Sequence, residues 1–425
     1  MSAYLSVFTI LLLAGVPVAL ALGMGSAAYL LLTGKSHLLI AFPQRLITGI
    51  DQFVLLTIPL FILAGNLMNA GGITEQIIRC AQALVGRARG GLAAVNVVSS
   101  LLFSGINGTA TGDASAVGTV MIPSMVKEGY RPAYAAAVTA VSSILGPLIP
   151  PSLTLILYGV LTGTSIAGLF LAGIVPGLLL AAALTAYVLF VGHRQNHPRC
   201  APMSAGERFS AVVRALPALF LPVIIVGGIR FGAFTPTEAA AVAVIYALVA
   251  GGLFYRRLRL SGIVAACIDT ATMTAAIMLI VAMASMTAFV FGYENIPAIV
   301  AGNLMALTDD PLVLLLLINA FLILLGLFLE PLAALILMLP ILTQLQGALG
   351  LDPLHLGVIV CLNLVIGMIT PPVGLCLFIV SSISGVRLEG VVRAALPMLA
   401  ISFLVLALVT FVPALSLTLP RLLGG

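Results

Sequence analysis

The sequence predicts an all-α polytopic membrane protein made of two inverted repeats, each carrying a re-entrant helical hairpin and a broken transmembrane helix. Three observations predict it. The composition is too apolar for a wettable surface, two near-identical Gly-x-x-x-Pro-Pro turns interrupt apolar segments, and several Gly and Pro positions recur at one constant spacing.

Hydrophobic residues make up 62% of the 425 and charged residues 7%, with a mean hydropathy of +1.26. A soluble domain carries about 25% charged residues, so this chain needs lipid around it. Apolar runs long enough to cross a ~30 Å hydrocarbon core recur from end to end. A cleavable signal peptide is not expected, because the first run (5–32) lacks a basic flank and exceeds an h-region. The five cysteines, Cys80, Cys200, Cys267, Cys361 and Cys376, form no CxxC pair, which points to neither a disulfide frame nor a metal site. His193 and His197 share a loop that is otherwise basic, poor company for a cation. The net charge of +5 reads as topology, with Lys and Arg gathered in cytoplasmic loops, and not as a nucleic-acid footprint.

Taken in order, spans are expected at residues 5–32, 53–68, 132–163, 166–191, 215–229, 236–255, 263–290, 355–382 and 394–417. Residues 92–125 and 312–342 are each longer than one crossing. The first contains Ser104-Gly105-Ile106-Asn107-Gly108-Thr109-Ala110-Thr111-Gly112, the second Gly326-Leu327-Phe328-Leu329-Glu330-Pro331. Non-helical backbone at membrane depth survives only under protein or in a cavity, so each is expected to dip in and return as a hairpin. Basic residues (Arg79, Arg87, Arg89, Lys127 and Arg131) flank the first hairpin, with further clusters at 194–214, 256–259 and 387–393; Asp309, Asp310 and Asp352 flank the second. The positive-inside rule then brings hairpin one in from the cytoplasm and hairpin two from outside, with Lys35, Arg45 and Arg230 as outer-side exceptions.

The chain also repeats itself. Gly146, Pro150 and Pro151 match Gly367, Pro371 and Pro372 at a separation of 221 residues (367 − 146), and Pro176 matches Pro397 and Gly105 matches Gly326 at the same separation, the last pair placed at the hairpin tips. The span at 215–229 lies between the copies and inverts the second, as in secondary transporters. The expected map is a first repeat at 1–200 (hairpin about 92–127, broken helix about 132–163), a linker helix at 201–234, and a second repeat at 235–425 (hairpin about 311–345, broken helix about 355–382).

The breaks carry the chemistry. Consecutive prolines remove two backbone donors and push each preceding residue out of the α region. Upstream carbonyls are freed, and beside a half-helix C-terminus they make an oxygen cage for a cation. Ser104, Asn107, Thr109 and Thr111 add short side-chain oxygens in hairpin one, although an Asn-Gly turn with Thr or Ser capping the second half-helix uses the same residues. Hairpin two is poorer in hydroxyls and leans on Thr370 and backbone carbonyls. The half-helices that follow the tips present positive dipole ends to an anion. Asp113, Glu238 and Glu330 either cap helix starts or couple ions, and Asp269 is expected at the interface. No metalloprotease helix, nucleophile elbow or P-loop is present, so neither an enzyme nor ATP-driven transport is expected.

These residues resemble the large membrane subunit of tripartite ATP-independent periplasmic (TRAP) transporters. The matching words are Ile58-Pro59-Leu60-Phe61-Ile62-Leu63-Ala64-Gly65, Phe103-Ser104-Gly105 with Ile122-Pro123, Leu148-Ile149-Pro150-Pro151-Ser152, Phe234-Thr235-Pro236-Thr237-Glu238-Ala239-Ala240, Gly326-Leu327-Phe328-Leu329-Glu330, and Ile369-Thr370-Pro371-Pro372-Val373-Gly374-Leu375. The resemblance implies a sodium-driven importer of organic acids in the bacterial inner membrane that works as an elevator. A separate small membrane subunit widens its scaffold, and a periplasmic binding protein delivers the substrate. By the family's pattern one sodium site uses Ser104, Asn107, Gly146, Ile149 and Pro151, and a second uses Gly326, Gly367, Thr370 and Val373. Gly105, Gly108 and Thr109 are candidate substrate contacts, and Arg45 is a candidate for substrate or partner. Cys376 stands where the family often has Asn, which marks it as a place to look for substrate choice. The rivals are a self-contained sodium/carboxylate symporter and, further off, a channel.

Overall fold

A computed structural model describes residues 2–200, 203–308 and 310–423, and every regular element among them is a helix. Among the described residues six helices are long and apolar enough to cross a bilayer: Phe53–Ala70, Ile166–Arg194, Ala205–Arg230, Pro236–Phe254, Leu260–Tyr293 and Leu388–Phe411. Asp309, expected beside the second hairpin, lies outside the described residues.

Both segments expected to re-enter are helical hairpins. Gly91–Asn107 returns as Ala110–Lys127, and Pro311–Phe328 returns as Pro331–Leu349. Both Pro-Pro segments break their helices. Pro132–Ser142 runs through a short 3-10 turn into the first break and resumes as Leu153–Thr162; Pro353–Gly367 resumes as Leu375–Ser384. The repeat spacing extends to features that the sequence did not single out. Pro132 and Pro353 each open a broken helix, and Thr109 and Glu330 each stand at the N-cap of a returning arm, both pairs 221 residues apart (353 − 132, 330 − 109). The tips are therefore at Gly108–Thr109 and Leu329–Glu330. Gly105 and Gly326 sit about one turn earlier, on the ingoing arms, and not at the tips as expected.

The two repeats interlock. The half-helix after the second break, Leu375–Ser384, packs on Ala110–Lys127 of the first hairpin, and the half-helix after the first break, Leu153–Thr162, packs on Pro331–Leu349 of the second. A separate group of helices, Val18–Leu32, Phe42–Ile50, Thr57–Ala70, Pro236–Val249 and Leu260–Tyr293, packs mainly on itself. Small residues let these backbones approach: a Cβ built on Gly49 would lie 2.5 Å from Ser285 Cβ. Hydroxyls link across, as in Ser26 Oγ with Thr287 Oγ1 at 2.9 Å and Thr57 Oγ1 with Thr237 Oγ1 at 3.1 Å. Close small-residue contacts and interhelical hydrogen bonds are what association needs where lipid is as apolar as the helices.

Ion pairs join loops that the charge pattern placed on one side. Lys35 Nζ meets Glu294 Oε1 at 2.5 Å, and that carboxylate holds the Lys35 ammonium above its ordinary pKa. The outer-side Lys35 is thus paired at the far end of Leu260–Tyr293. Arg257 meets Glu75 at 2.5 Å and Arg89 donates to Asn196 at 2.8 Å, both between loops expected in the cytoplasm.

Three spans differ from expectation. Residues 5–32 are not one crossing: Gly15 takes φ +79, Pro17 withholds a donor, and Ser2–Leu13 folds back on Val18–Leu32 so that Tyr4 reaches Gly25. The final span ends at Phe411, where Pro413 separates it from a further helix, Ala414–Leu423. The linker helix starts at Ala205, ten residues before the apolar stretch at 215–229, on a reciprocal cap between Ser204 and Glu207.

Glu238 does form the expected helix start. Its carboxylate accepts from Thr235 N at 2.8 Å while Thr235 Oγ1 accepts from Glu238 N at 3.3 Å. Asp269 is exposed on Leu260–Tyr293. Thr235→Ala is expected to cost about 1 kcal/mol, read as a lower thermal midpoint in detergent. Glu238→Gln keeps an oxygen for the Thr235 N–H and is expected to lose less; an equal loss would show that the carboxylate's charge contributes as much as the Thr235 hydroxyl.

Candidate functional site

The first hairpin turns on Asn107-Gly108-Thr109. Gly108 takes φ +65, a conformation that suits glycine, and a side chain there would run into the Pro151 carbonyl. Thr109 caps the returning arm, its Oγ1 accepting from Gly112 N at 3.2 Å. Asp113 therefore does not cap. It is fully buried one turn later, neither carboxylate oxygen has a hydrogen-bond partner among the described residues, and Ser100 and Cys376 are polar side chains beside it.

The first break lies against this tip. A Cβ on Gly146 would fall 2.7 Å from the Thr109 carbonyl, and Leu153 N reaches Gly108 O at 3.5 Å. Ser152 caps the resumed half-helix, accepting from Leu155 N at 3.2 Å, and donates to the Pro147 carbonyl, which also accepts from Cys361 Sγ. The Pro150–Pro151 bond is cis. Among the described residues no hydrogen bond reaches the carbonyl oxygens of Gly146, Ile149 or Pro151. Ser104 and Asn107 stand on the last turn of the ingoing arm, and Asn107 Oδ1 faces Gly65 of Thr57–Ala70, 3.3 Å from where a Cβ would be.

The second break repeats the geometry with less side-chain oxygen. Gly326 and Gly367 touch backbone to backbone, so that a Cβ on Gly367 would lie 2.5 Å from the Gly326 carbonyl carbon. The carbonyls of Gly326, Thr370 and Val373 receive no hydrogen bond among the described residues. Gly367 O accepts from Thr370 N at 3.0 Å, which leaves it a second lone pair. Thr370 Oγ1 donates to Ile366 O at 2.7 Å, so its own lone pairs are free.

The two tips face each other across a narrow cavity. Gly108, Thr109, Thr111 and Thr154 line it from one repeat, and Glu330 and Met368 from the other. Glu330 holds the N-cap position, but its side chain makes no capping bond and faces this space. Two helix N-termini, at Ala110 and Pro331, thus meet at one place, a setting that favours an anion.

The remaining candidates lie elsewhere. Gly105 faces Pro222 of the linker helix, 2.5 Å from a built Cβ to Cγ. Cys376 is fully buried beside Ser143 and Asp113 and does not line the cavity between the tips. Arg45 is exposed on Phe42–Ile50, its guanidinium 4.7 Å above the Phe289 ring. Residue-by-residue reading missed Thr154 and Met368 in the cavity wall, and Gly65 behind the Asn107 amide. Gly65 closes one of the quoted sequence words, where a glycine ending an apolar run was the available signal.

A family model described as the tripartite ATP-independent periplasmic transporter, DctM component, matches residues 5–415. The sialic acid TRAP transporter large permease protein SiaM of Vibrio cholerae is 43% identical over 415 residues, covering 98% of this chain and 97% of its own length. The C4-dicarboxylate TRAP transporter large permease protein DctM of Pseudomonas aeruginosa is 41% identical over 374 residues, 88% of each chain. Among solved structures, the YdaH transporter of Alcanivorax borkumensis superposes with a TM-score of 0.58 at 16% identity, over 89% of this chain and 90% of that one, a likeness of fold.

The contact between Gly326 and Gly367 is backbone on backbone, so little can yield to an added methyl. Gly367→Ala is expected to cost about 1–3 kcal/mol or more through overpacking. Gly292→Ala, at an open helical position with nothing within 4 Å of the built Cβ, is expected to be neutral or to gain up to ~1 kcal/mol. Thermal melts of both variants in detergent compare them directly; equal midpoints would show that the hairpin is not pressed on the break.

Proposed function

The chain belongs to the tripartite ATP-independent periplasmic transporter family, DctM component, and on that premise we propose that it is the sodium-coupled membrane permease for an organic acid. Its relatives are transporter permeases, and it is a multi-pass membrane protein of that kind, not an enzyme. The observation that carries the proposal is the pair of breaks whose undonated carbonyls lie against two facing hairpin tips.

In this reading one sodium ion is held by Ser104, Asn107, Gly146, Ile149 and Pro151, and a second by Gly326, Gly367, Thr370 and Val373. Oxygen atoms are the ligands a hard cation takes, and free carbonyls at membrane depth are costly unless something satisfies them. The substrate's carboxylate sits between the tips, on the helix N-termini at Ala110 and Pro331, with Thr109 and Thr111 as hydroxyl donors. At an effective dielectric of ~20, opposite unit charges ~5 Å apart gain about 3 kcal/mol. Bound sodium and bound carboxylate thus stabilise each other. Asp113, freed from any capping role and buried without a hydrogen-bond partner among the described residues, supplies negative charge beside the first site when a cation is bound there to offset it.

The interlocked hairpins and broken helices form the unit that moves, and the group around Thr57–Ala70, Pro236–Val249 and Leu260–Tyr293 forms the scaffold, an elevator arrangement. Family membership supports a separate small membrane subunit, a periplasmic binding protein as donor, and residence in the bacterial inner membrane. Sialic acid and C4-dicarboxylates, named for two relatives, are different organic acids; the substrate class that follows for this chain is a carboxylate.

Uptake into proteoliposomes is expected only when the chain, the small subunit, the loaded binding protein and an inward sodium gradient are all present. Uptake by the chain alone would establish a self-contained symporter in its place. Ser104→Ala and Thr370→Ala each remove a hydroxyl worth on the order of 1 kcal/mol, so half-saturating sodium is expected to rise about fivefold in each. Asp113→Asn keeps the size of the side chain and removes its charge, and is expected to raise half-saturating sodium at least as far. Unchanged sodium curves in all three variants would remove these side chains from the sites.

A further inference from the structure

Beside the first break lies a second, larger cleft of about 510 Å³. Its walls are Gly105 of the first hairpin and Pro150 of the break on one side and Leu219 and Val223 of the linker helix on the other, with Leu178 of Ile166–Arg194 and Leu423 of the last helix beside them. Every described residue that lines it is Leu, Ile, Val, Pro or Gly. We propose that this cleft binds a single acyl chain of a membrane lipid, held between the first hairpin and the linker helix.

Depth argues for hydrocarbon. Leu219 and Val223 lie inside the apolar stretch 215–229 of the linker helix, between Arg214 and Arg230, and at 1.5 Å per residue Val223 is ~13 Å along the axis from Arg214. That is the hydrocarbon-facing part of the helix. The rim opens outward: Leu178, Val223 and Leu423 are 48%, 63% and 45% exposed, alongside Phe220 at 53%. A purely apolar cavity does not hold water and takes up apolar guests.

Size argues against protein. An α-helix is 10–12 Å across and rises 5.4 Å per turn, so each turn with its side chains fills about 500 Å³. The cleft holds about one turn, too little to enclose a partner's transmembrane helix, whereas a flexible chain of methylenes can fill such a volume. The backbone leaves room as well, since nothing lies within 4 Å of where a Cβ on Gly227 would be. An acyl chain seated here touches Gly105 and Pro150, so any displacement of hairpin one relative to the linker helix must reshape its site. The proposal stands on the cleft alone and does not depend on the sodium reading.

The sequence contains no tryptophan, which makes single-tryptophan variants clean reporters. The full chain carrying Leu219→Trp (cleft), Phe220→Trp (lipid face) or Phe170→Trp (core) is reconstituted in dioleoyl phosphatidylcholine mixed with increasing fractions of its mid-chain brominated analogue, which quenches indole on contact. Phe220→Trp is expected to quench steeply, as a surface touching several exchanging chains does. Leu219→Trp is expected to quench in direct proportion to the brominated fraction, as one bound chain does, and Phe170→Trp hardly at all. Adding Gly227→Phe, which fills the cleft, is expected to remove at least half of the Leu219→Trp quenching and none of the Phe220→Trp quenching. Leu178→Trp reports from another wall should Leu219→Trp fail to fold. The proposal is overturned if the cleft indole behaves like the core one, or if Gly227→Phe leaves its quenching unchanged. It is also overturned if the small subunit abolishes the quenching, since protein then fills the space.

Discussion

A carbonyl oxygen at membrane depth has no water to turn to, and the structure is organised around the two places where that constraint is violated. At 146–151 and 367–373 the prolines withhold donors, and the carbonyls of Gly146, Ile149, Pro151, Thr370 and Val373 are left open. A bilayer cannot cover such backbone. Each break is accordingly roofed by a hairpin, at the tip in the first repeat and at Gly326, one turn before the tip, in the second, and each hairpin is braced by the half-helix of the other repeat. The interlocking is thus a consequence of the breaks. Neither repeat can shield its own broken helix, carry its own hairpin and keep both out of lipid without the other.

Glycine makes the roofing possible, and it does so differently in the two halves. In the second repeat Gly326 lies on Gly367 with only backbone between them. In the first, the equivalent Gly105 has turned toward Pro222, and Gly146 instead receives the Thr109 carbonyl. The linker helix accounts for the difference, because it packs on hairpin one and has no symmetric copy to pack on hairpin two. Side chains follow suit. Hairpin one presents Ser104, Asn107, Thr109 and Thr111 near its tip, where hairpin two presents Glu330 and little other polarity.

How far the sequence could be read follows from where each signal resides. Both breaks, both hairpins and the Thr235–Glu238 cap are local events, written in Pro, Gly and capping residues within a few positions, and all were legible. The repeat spacing was legible because Gly and Pro are constrained by backbone geometry and change little between copies of one fold. Hydropathy alone could not divide 5–32 or end the last span at Phe411, since a helix that folds back in lipid is as apolar as one that continues; the single cues were Gly15, Pro17 and Pro413. The tip position slipped by one turn because Gly105 and Gly326 serve close packing and not the turn itself. Asp113 and Cys376 needed tertiary structure. Asp113 is buried against Ser100 of the other arm of its hairpin, and Cys376 against Ser143 and Asp113, more than two hundred residues away, which no local pattern records.

The repeats are symmetric in backbone and asymmetric in charge, and on the proposed reading that asymmetry couples the ions to the cargo. Thr109 and Glu330 are equivalent positions, one neutral and one acidic, and the counterpart of Asp113 is Ala334, which is also fully buried (334 − 113 = 221). Both proposed sodium sites are built from neutral oxygens, so neither contains the charge that balances its ion. In a medium where an unpaired charge costs several kcal/mol, the ions must draw on carboxylates outside their own ligand sets. Asp113 lies beside the first site and Glu330 faces the cavity between the tips, where it also repels an arriving carboxylate. A substrate anion therefore binds well only once a cation has offset Glu330, and the bound anion in turn strengthens the hold on the cations. Reciprocal dependence of this kind is a coupling free energy between sites. It needs no contact between ion and substrate, only negative charge in Asp113 and Glu330 that the cations offset before the anion arrives.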